Sequence, residues 1–251
     1  MVDQFVSLPE PEDTDGHDAE KDQITSIDTE FNVFDRVFIT HHSPAVDRRS
    51  YMMSNLRDWK FKASFVNYFD AESISPDFEH CEMAPVSQHV YRPGSEYKLK
   101  KGEMSLLTKS FYIYYLILKH GLRNTLVLED DADLKSGVDM ALVREAMTMI
   151  PPNYSVAQFG SCNHTARKKM GDRYTIYESN GDADHCTNAY AVSRQGAILL
   201  FKSLPIQHPI DHLMCGGFGG MHHPDFSSYG VWPSLFAPNP DLATQSTGIR
   251  A

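Results

Sequence analysis

Residues 125–134 read TLVLEDDADL. A short apolar run, Thr125 to Leu128, breaks off into three consecutive carboxylates, Glu129, Asp130 and Asp131, with Asp133 following. The run has the length and composition of a buried strand. Anions crowded at one strand tip repel each other unless a cation or a set of donors compensates them. Hard oxygen ligands of this kind suit Mg²⁺ or Mn²⁺, ions that usually take one or two carboxylates plus substrate phosphates. The stretch therefore predicts an enzyme that handles a phosphorylated or nucleotide-activated substrate.

Working outward, residues 105–120 are apolar nearly all round (Leu106, Leu107, Phe111, Ile113, Tyr114, Leu118) and stop at Gly121, which predicts a buried helix leading into that strand. Upstream, Arg36 to Thr40 reads as a strand, Ser43-Pro44 as the opening of a helix to about Leu56, and Phe65 to Tyr68 as a second strand. Downstream, a helix from Val138 to Ile150 is stopped by Pro151-Pro152. Strands are expected at Val156–Phe159, Tyr174–Tyr177 and Ala189–Val192, then a helix over 194–204 and a strand around 231–236. Strands alternating with helices predict an α/β fold, a mostly parallel sheet with helices on both faces. Ligands of such sheets bind beyond the carboxyl ends of the strands. Glu129 to Asp131 occupy one such end, and Thr40, His41 and His42 another. Residues 73–101, with Pro76, Pro85 and Pro93-Gly94, read as an irregular insertion or lid.

The 251 residues are enough for one sizeable domain. Net charge is −10, yet residues 1–30 hold ten acids against Lys21 alone, leaving 23 acids and 22 bases in the remainder. Residues 1–33 are therefore expected to be an acidic disordered tail, and 34–251 the folded domain. Without a basic stripe, nucleic-acid binding is not expected; Arg167-Lys168-Lys169 is one short cluster. No run has the length of a transmembrane segment, and Met1 opens no basic-then-apolar leader. The four cysteines form no CxxC pair, so reduced thiols in a cytoplasmic protein are the expectation.

Asp131-Ala132-Asp133 also fits the hhhhDxD opening of haloacid-type phosphatases. Leu134 stands where that motif has Thr or Val, however, and the segment lies mid-chain. A broader set of segments resembles glycosyltransferase family 25, which contains lipooligosaccharide and collagen galactosyltransferases. These are the first strand and its loop, DRVFITHHSPAVDRRSYMMSNL with Asp47-Arg48, and Gly102-Glu103 entering the long helix. Leu126 to Asp131 matches the family's LVLEDD signature, and Tyr190 to Ala197 its YxxSxxGA segment. Pro209-Ile210-Asp211 and the late Pro233 complete the series. The resemblance spans residues 34–240. Two positions differ from the family pattern, Ile39-Thr40-His41 in place of Ile-Asn-Leu and Lys109-Ser110 in place of Ser-His.

The resemblance implies a GT-A-like fold and inverting transfer of a sugar from a nucleotide-sugar donor, UDP-linked, to a glycan, glycolipid or glycoprotein acceptor, as in lipopolysaccharide biosynthesis. It implies Mn²⁺ or Mg²⁺, which offsets charge on the diphosphate leaving group. Asp131 is then the metal ligand, with Asp133 in reserve or capping the next turn. Glu129 and Asp130 become donor-binding residues, together with Thr40, His41 and Glu103. Arg48 and Arg49 reach a phosphate or base, or else form surface ion pairs. Asp211 is the candidate base, with His212 beside it; its alternative role is a helix N-cap. His222-His223, in a Gly-rich loop able to close over a donor, offer a late metal ligand or a solvated pair. A phosphatase and a non-catalytic transferase-like binding module remain the rival readings.

Overall fold

The computed structural model describes the backbone of residues 12–13 and residues 33–60, 62–74, 99–160, 174–179, 186–204, 209–215 and 223–243. The chain opens with a two-residue strand β1 (Glu12–Asp13), then β2 (Arg36–Thr40), helix α1 (Val46–Trp59) and β3 (Ala63–Val66). A short 3₁₀ turn, Ala71–Ser73, precedes the long helix α2 (Lys101–His120) and β4 (Asn124–Glu129). Next come β5 (Ala132–Leu134), α3 (Met140–Met149), β6 (Val156–Gln158), β7 (Thr175–Glu178) and β8 (Ala189–Ser193). Helices α4 (Arg194–Lys202) and α5 (Ile210–Cys215), strands β9 (Ser228–Trp232) and β10 (Phe236–Pro238), and helix α6 (Pro240–Ala243) close it.

Eight strands form one sheet in the order β1-β3-β2-β4-β8-β6-β9-β7, while β10 pairs with β5 apart from it. Period-two alternation sorts the side chains onto two faces. Phe38, Val127, Tyr190 and Val192 pack on one side with α2, α4 and α5. Val37, Ile39, Leu126, Leu128, Ala189 and Ala191 pack on the other with α1 and α3. The expected α/β sheet with helices on both faces is therefore present. Five strands (β2, β3, β4, β6 and β9) share one direction, and β1, β7 and β8 run against it. Among the described residues no helix separates β6, β7 and β8, and it is a crossover helix that returns a chain to parallel pairing.

Helix α2 begins at Lys101, four residues before the apolar run, because the Glu103 carboxylate reaches back to accept the Lys100 N–H at 2.7 Å. Helix α1 begins at Val46 rather than after Ser43, whose hydroxyl donates to the Asn67 carbonyl at 2.8 Å and so is drawn toward the loop after β3. The expected acidic tail contains one described strand, Glu12–Asp13. Glu12 and Asp13 pair antiparallel with Phe65 and Ser64 of β3. Composition argued from side chains, whereas an edge pairing is made by backbone groups, and charged residues are common on edge strands. The rest of residues 1–32, the expected lid over 75–98 and the cluster at 167–169 lie outside the described residues.

The expectation of four reduced thiols is also corrected: Cys186 is disulfide-bonded. No helix among the described residues is long and apolar enough to cross a membrane.

The segment Tyr190 to Ala197 owes its pattern to packing. Tyr190 places its hydroxyl 3.3 Å from that of Tyr114, and Ser193 caps α4 by accepting the Gly196 N–H at 2.9 Å. At Gly196 a Cβ would lie 2.1 Å from the Ser155 carbonyl oxygen, which is backbone and cannot swing aside. Gly196→Ala is therefore expected to lose about 1–3 kcal/mol of stability through overpacking, measured by urea unfolding. An unchanged midpoint would show that α4 shifts freely against Ser155.

Candidate functional site

A cleft of about 500 Å³ opens at the carboxyl ends of β2 and β4. The chain leaves β2 through α1 toward β3 on one side, whereas β4 lies on the other side of β2, entered from α2 on the opposite face. This is a topological switch point, where the diverging connections leave a crevice. Its walls include Thr40, His41 and His42 after β2, Glu129 to Asp131 after β4, and Arg48 of α1. Lys100, Gly102, Glu103 and Lys109 of the α2 entrance complete it. Seven of the eight candidate donor-site and metal-site residues, Thr40, His41, Arg48, Glu103, Glu129, Asp130 and Asp131, are thus brought to one cleft.

Asp130 is the electrostatic centre, and it is only 4% exposed. Arg48 donates from one guanidinium nitrogen to Oδ1 at 2.7 Å. The His41 Nδ1 lies 2.9 Å from Oδ2, which also accepts the His42 N–H at 3.1 Å. Burial pushes the Asp130 carboxyl up, but His41, Arg48 and the His42 N–H together hold it below the ordinary aspartate value. Both its oxygens are occupied, so Asp130 anchors the loop after β2 and is not a free metal ligand. The second Arg48 nitrogen donates to the Leu242 carbonyl at 3.1 Å and lies 3.4 Å from Asp131 Oδ2. Arg48, whose alternative was a surface ion pair, is buried.

Glu129 and Asp131 are like charges set against each other, and Arg48 lies 3.4 Å from Asp131 Oδ2. Burial, first, and then the neighbouring Asp131 push the Glu129 carboxyl up to about 8, with smaller contributions from Asp130 and Asp211. The Thr187 hydroxyl donates to Glu129 Oε1. Asp133 is not brought to the cleft. Its Oδ2 accepts the Tyr51 hydroxyl at 2.6 Å, and β5 pairs it opposite Ala237. The reason is strand alternation, which sends Asp133 to the α1 side of the β5–β10 ribbon. Arg49 likewise leaves the site, its guanidinium lying 4.5 Å from the centre of the Phe65 ring.

The residues suit a divalent ion of one kind. Among the described residues no three His, Cys, Asp or Glu side chains converge as a cation cage. Yet Asp131 and Glu129 set two hard carboxylates together under mutual repulsion, and Mg²⁺ or Mn²⁺ commonly binds through so few protein ligands when substrate phosphates supply others. The donor set therefore fits an ion completed by substrate, with Asp131 as anchor.

Cleft-lining Lys109 and its partner Asp70, which lies behind the cleft wall, escaped the sequence reading. Lys109, noted there only as part of Lys109-Ser110 in place of the family's Ser-His, is 3% exposed. Its ammonium donates to the His41 carbonyl and to Asp70 Oδ1, both at 2.6 Å. Burial draws the Lys109 amine below its ordinary value, and Asp70 partly restores it. Asp70 follows β3 as Asp130 follows β4, so an acid just past a strand's carboxyl end was the signal that could have found it. Ser110, by contrast, bonds back to the Leu106 carbonyl and does not line the cleft.

Asp211 stands in the first turn of α5, half-buried, with its Oδ1 accepting the His212 N–H at 2.9 Å. It does not line the cleft, but its charge reaches Glu129. Helix α5 starts at Ile210, so Asp211 is not its N-cap. His222 and the Gly-rich loop lie outside the described residues, and His223 stands 3.8 Å from Asp225.

Neither a protein-family model nor a curated protein matches this chain.

Proposed function

We propose that the chain is a GT-A-type glycosyltransferase of the family-25 kind. In this reading it moves a sugar from a nucleotide donor, UDP-linked, to a glycan, glycolipid or glycoprotein acceptor with inversion. The observation that carries the reading is the cleft itself, which sets acids and cations together at a sheet's switch point. The entrance of α2, whose first turn lines the cleft, turns the positive end of its dipole toward a diphosphate. Lys100 adds charge beside it, and Lys109 and Arg48 hold the loops that shape the pocket. Asp131 anchors a Mn²⁺ or Mg²⁺ ion, which when bound neutralises charge on the diphosphate as it leaves. Asp211 accepts the proton from the acceptor hydroxyl. That oxygen bonds to the sugar's anomeric carbon as the carbon–oxygen bond to the diphosphate breaks. A cytoplasmic setting is not part of the proposal, because disulfides such as that at Cys186 persist in oxidising compartments.

The haloacid-phosphatase reading needs Asp133 in the cleft as acid/base, and Asp133 is bonded to Tyr51 instead. A non-catalytic module would bind a nucleotide without turning it over. Calorimetric titration of UDP and GDP with and without Mn²⁺, on the parent and on Asp131→Asn, tests the reading. Nucleoside diphosphate should bind tightly only with the ion present and only to the parent, and release of nucleoside diphosphate from nucleotide sugars should fall in step. Equal affinity in all four arms would remove the ion from the proposal, and binding without turnover in any sugar nucleotide would favour the module.

A further inference from the structure

Asn188 immediately precedes β8 and is 1% exposed. Neither its Oδ1 nor its Nδ2 has a hydrogen-bond partner. It is not remote from the cleft. The Glu129 N–H donates to the Asn188 carbonyl at 3.0 Å, and Thr187, the residue before it, donates to the Glu129 carboxylate. The side chain lies against Gly160, where a Cβ would come within 2.0 Å of Asn188 Oδ1. Gly160 therefore leaves the room that the amide fills, and any larger residue would expel it. The backbone of residue 188 is tied to the acidic turn while its amide is held with both functions unused.

Such a group is costly. A buried donor or acceptor left unsatisfied loses about 1–3 kcal/mol, and folded proteins retain few of them. Asn188 is bonded through its backbone to the cleft-lining Glu129 without itself forming the cleft wall, and an amide kept unpaired there is explained when a ligand completes it. Its chemistry narrows the choice. An amide presents one acceptor and one two-proton donor side by side. Phosphate oxygens only accept and would leave Oδ1 unused. Sugar hydroxyls both donate and accept, so two neighbouring hydroxyls satisfy the whole amide.

We propose that Asn188 binds hydroxyl groups of the donor sugar, with Gly160 making the space for it; this rests on the glycosyltransferase reading above. The sugar is attached to the diphosphate and so lies next to the acidic turn that Asn188 supports. Because the amide is closed to solvent, the sugar displaces whatever covers it, and the test reads equilibrium affinity.

The test compares the parent with Asn188→Leu, close in volume and without polar atoms. Calorimetry with Mn²⁺ measures UDP and GDP against the matching sugar nucleotides, galactose, glucose and N-acetylglucosamine for UDP and mannose for GDP. Melting temperature is recorded for both proteins. The expected result is unchanged diphosphate affinity, sugar-nucleotide affinity weakened roughly tenfold or more through two lost hydrogen bonds, and a melting temperature unchanged or raised. Removing an unsatisfied amide relieves the fold while it disables the site. Equal sugar-nucleotide affinity in the two proteins overturns the assignment, as does a parallel loss for diphosphate and sugar nucleotide, which would place the amide on the base or phosphate. A marked fall in melting temperature means that a buried water or the fold itself uses the amide, and overturns it too. If the parent binds no nucleotide at all, the glycosyltransferase reading fails and this assignment with it, whereas binding by the parent that Asn188→Leu leaves intact sinks the assignment alone. Should Leu fail to fold against Gly160, Asn188→Ala carries the same comparison.

Discussion

Arg48→Met is expected to lower the unfolding free energy by about 3–5 kcal/mol, because it strands a buried carboxylate without its cation. The pair is tight, 2.7 Å between Arg48 and Asp130 Oδ1, and both side chains are about nine-tenths buried. The change also frees the Leu242 carbonyl, so α6 loses its tie to α1. Urea unfolding at pH 7 measures the loss. The double variant Arg48→Met with Asp130→Asn should recover much of it, since removing both charges spares the desolvation of a lone anion, while an amide at 130 keeps an acceptor for the His42 N–H. A loss under about 1 kcal/mol for Arg48→Met would mean that His41 and the His42 N–H suffice to hold Asp130, and that Arg48 is free to serve a ligand.

Asp211→Asn is expected to cut sugar transfer roughly a hundredfold or more while leaving nucleotide affinity unchanged. Asn keeps the shape and the hydrogen bond from the His212 N–H but cannot take a proton. Because Asp211 lies inside the first turn of α5 and not at its cap, little stability should change. Its charge acts on Glu129, which puts it near the acidic turn. On the proposed reading an acceptor hydroxyl would approach between α5 and the end of β4. Steady-state kinetics on Asp211→Asn and His212→Ala separate the two candidates. Near-normal turnover in the first with an inactive second would move the base to His212.

The run Thr125 to Leu128 and its acids located both the central strand and the cleft, because burial of a strand and repulsion at its tip are written in consecutive residues. The same holds for α2, whose apolar surface nearly all round required burial between the sheet and two further helices. Helices on both faces followed from alternation alone. The reversed direction of β8 and β7 did not, because a strand's pattern is the same read either way along a sheet. Nor did the edge strand at Glu12–Asp13, made by backbone groups in a segment whose side chains argue for solvent.

Within the site, residue type told which groups were charged but not which partners each charge meets. Glu129, Asp130, Asp131 and Asp133 are four acids in five positions, yet the structure gives them three different fates. Asp130 is enclosed by Arg48, His41 and the His42 N–H; Glu129 and Asp131 repel each other at the cleft; Asp133 turns to Tyr51. Lys109 and Asp70 meet across 39 residues and Arg48 and Asp130 across 82, distances over which local pattern carries no information. The sequence by itself determined the composition of the site and the strand ends that carry it. Partner choice, and with it which carboxylate remains to meet a substrate, was decided by tertiary packing, since ion pairing and desolvation depend on what lies within a few ångströms in space and not on what is adjacent in the chain.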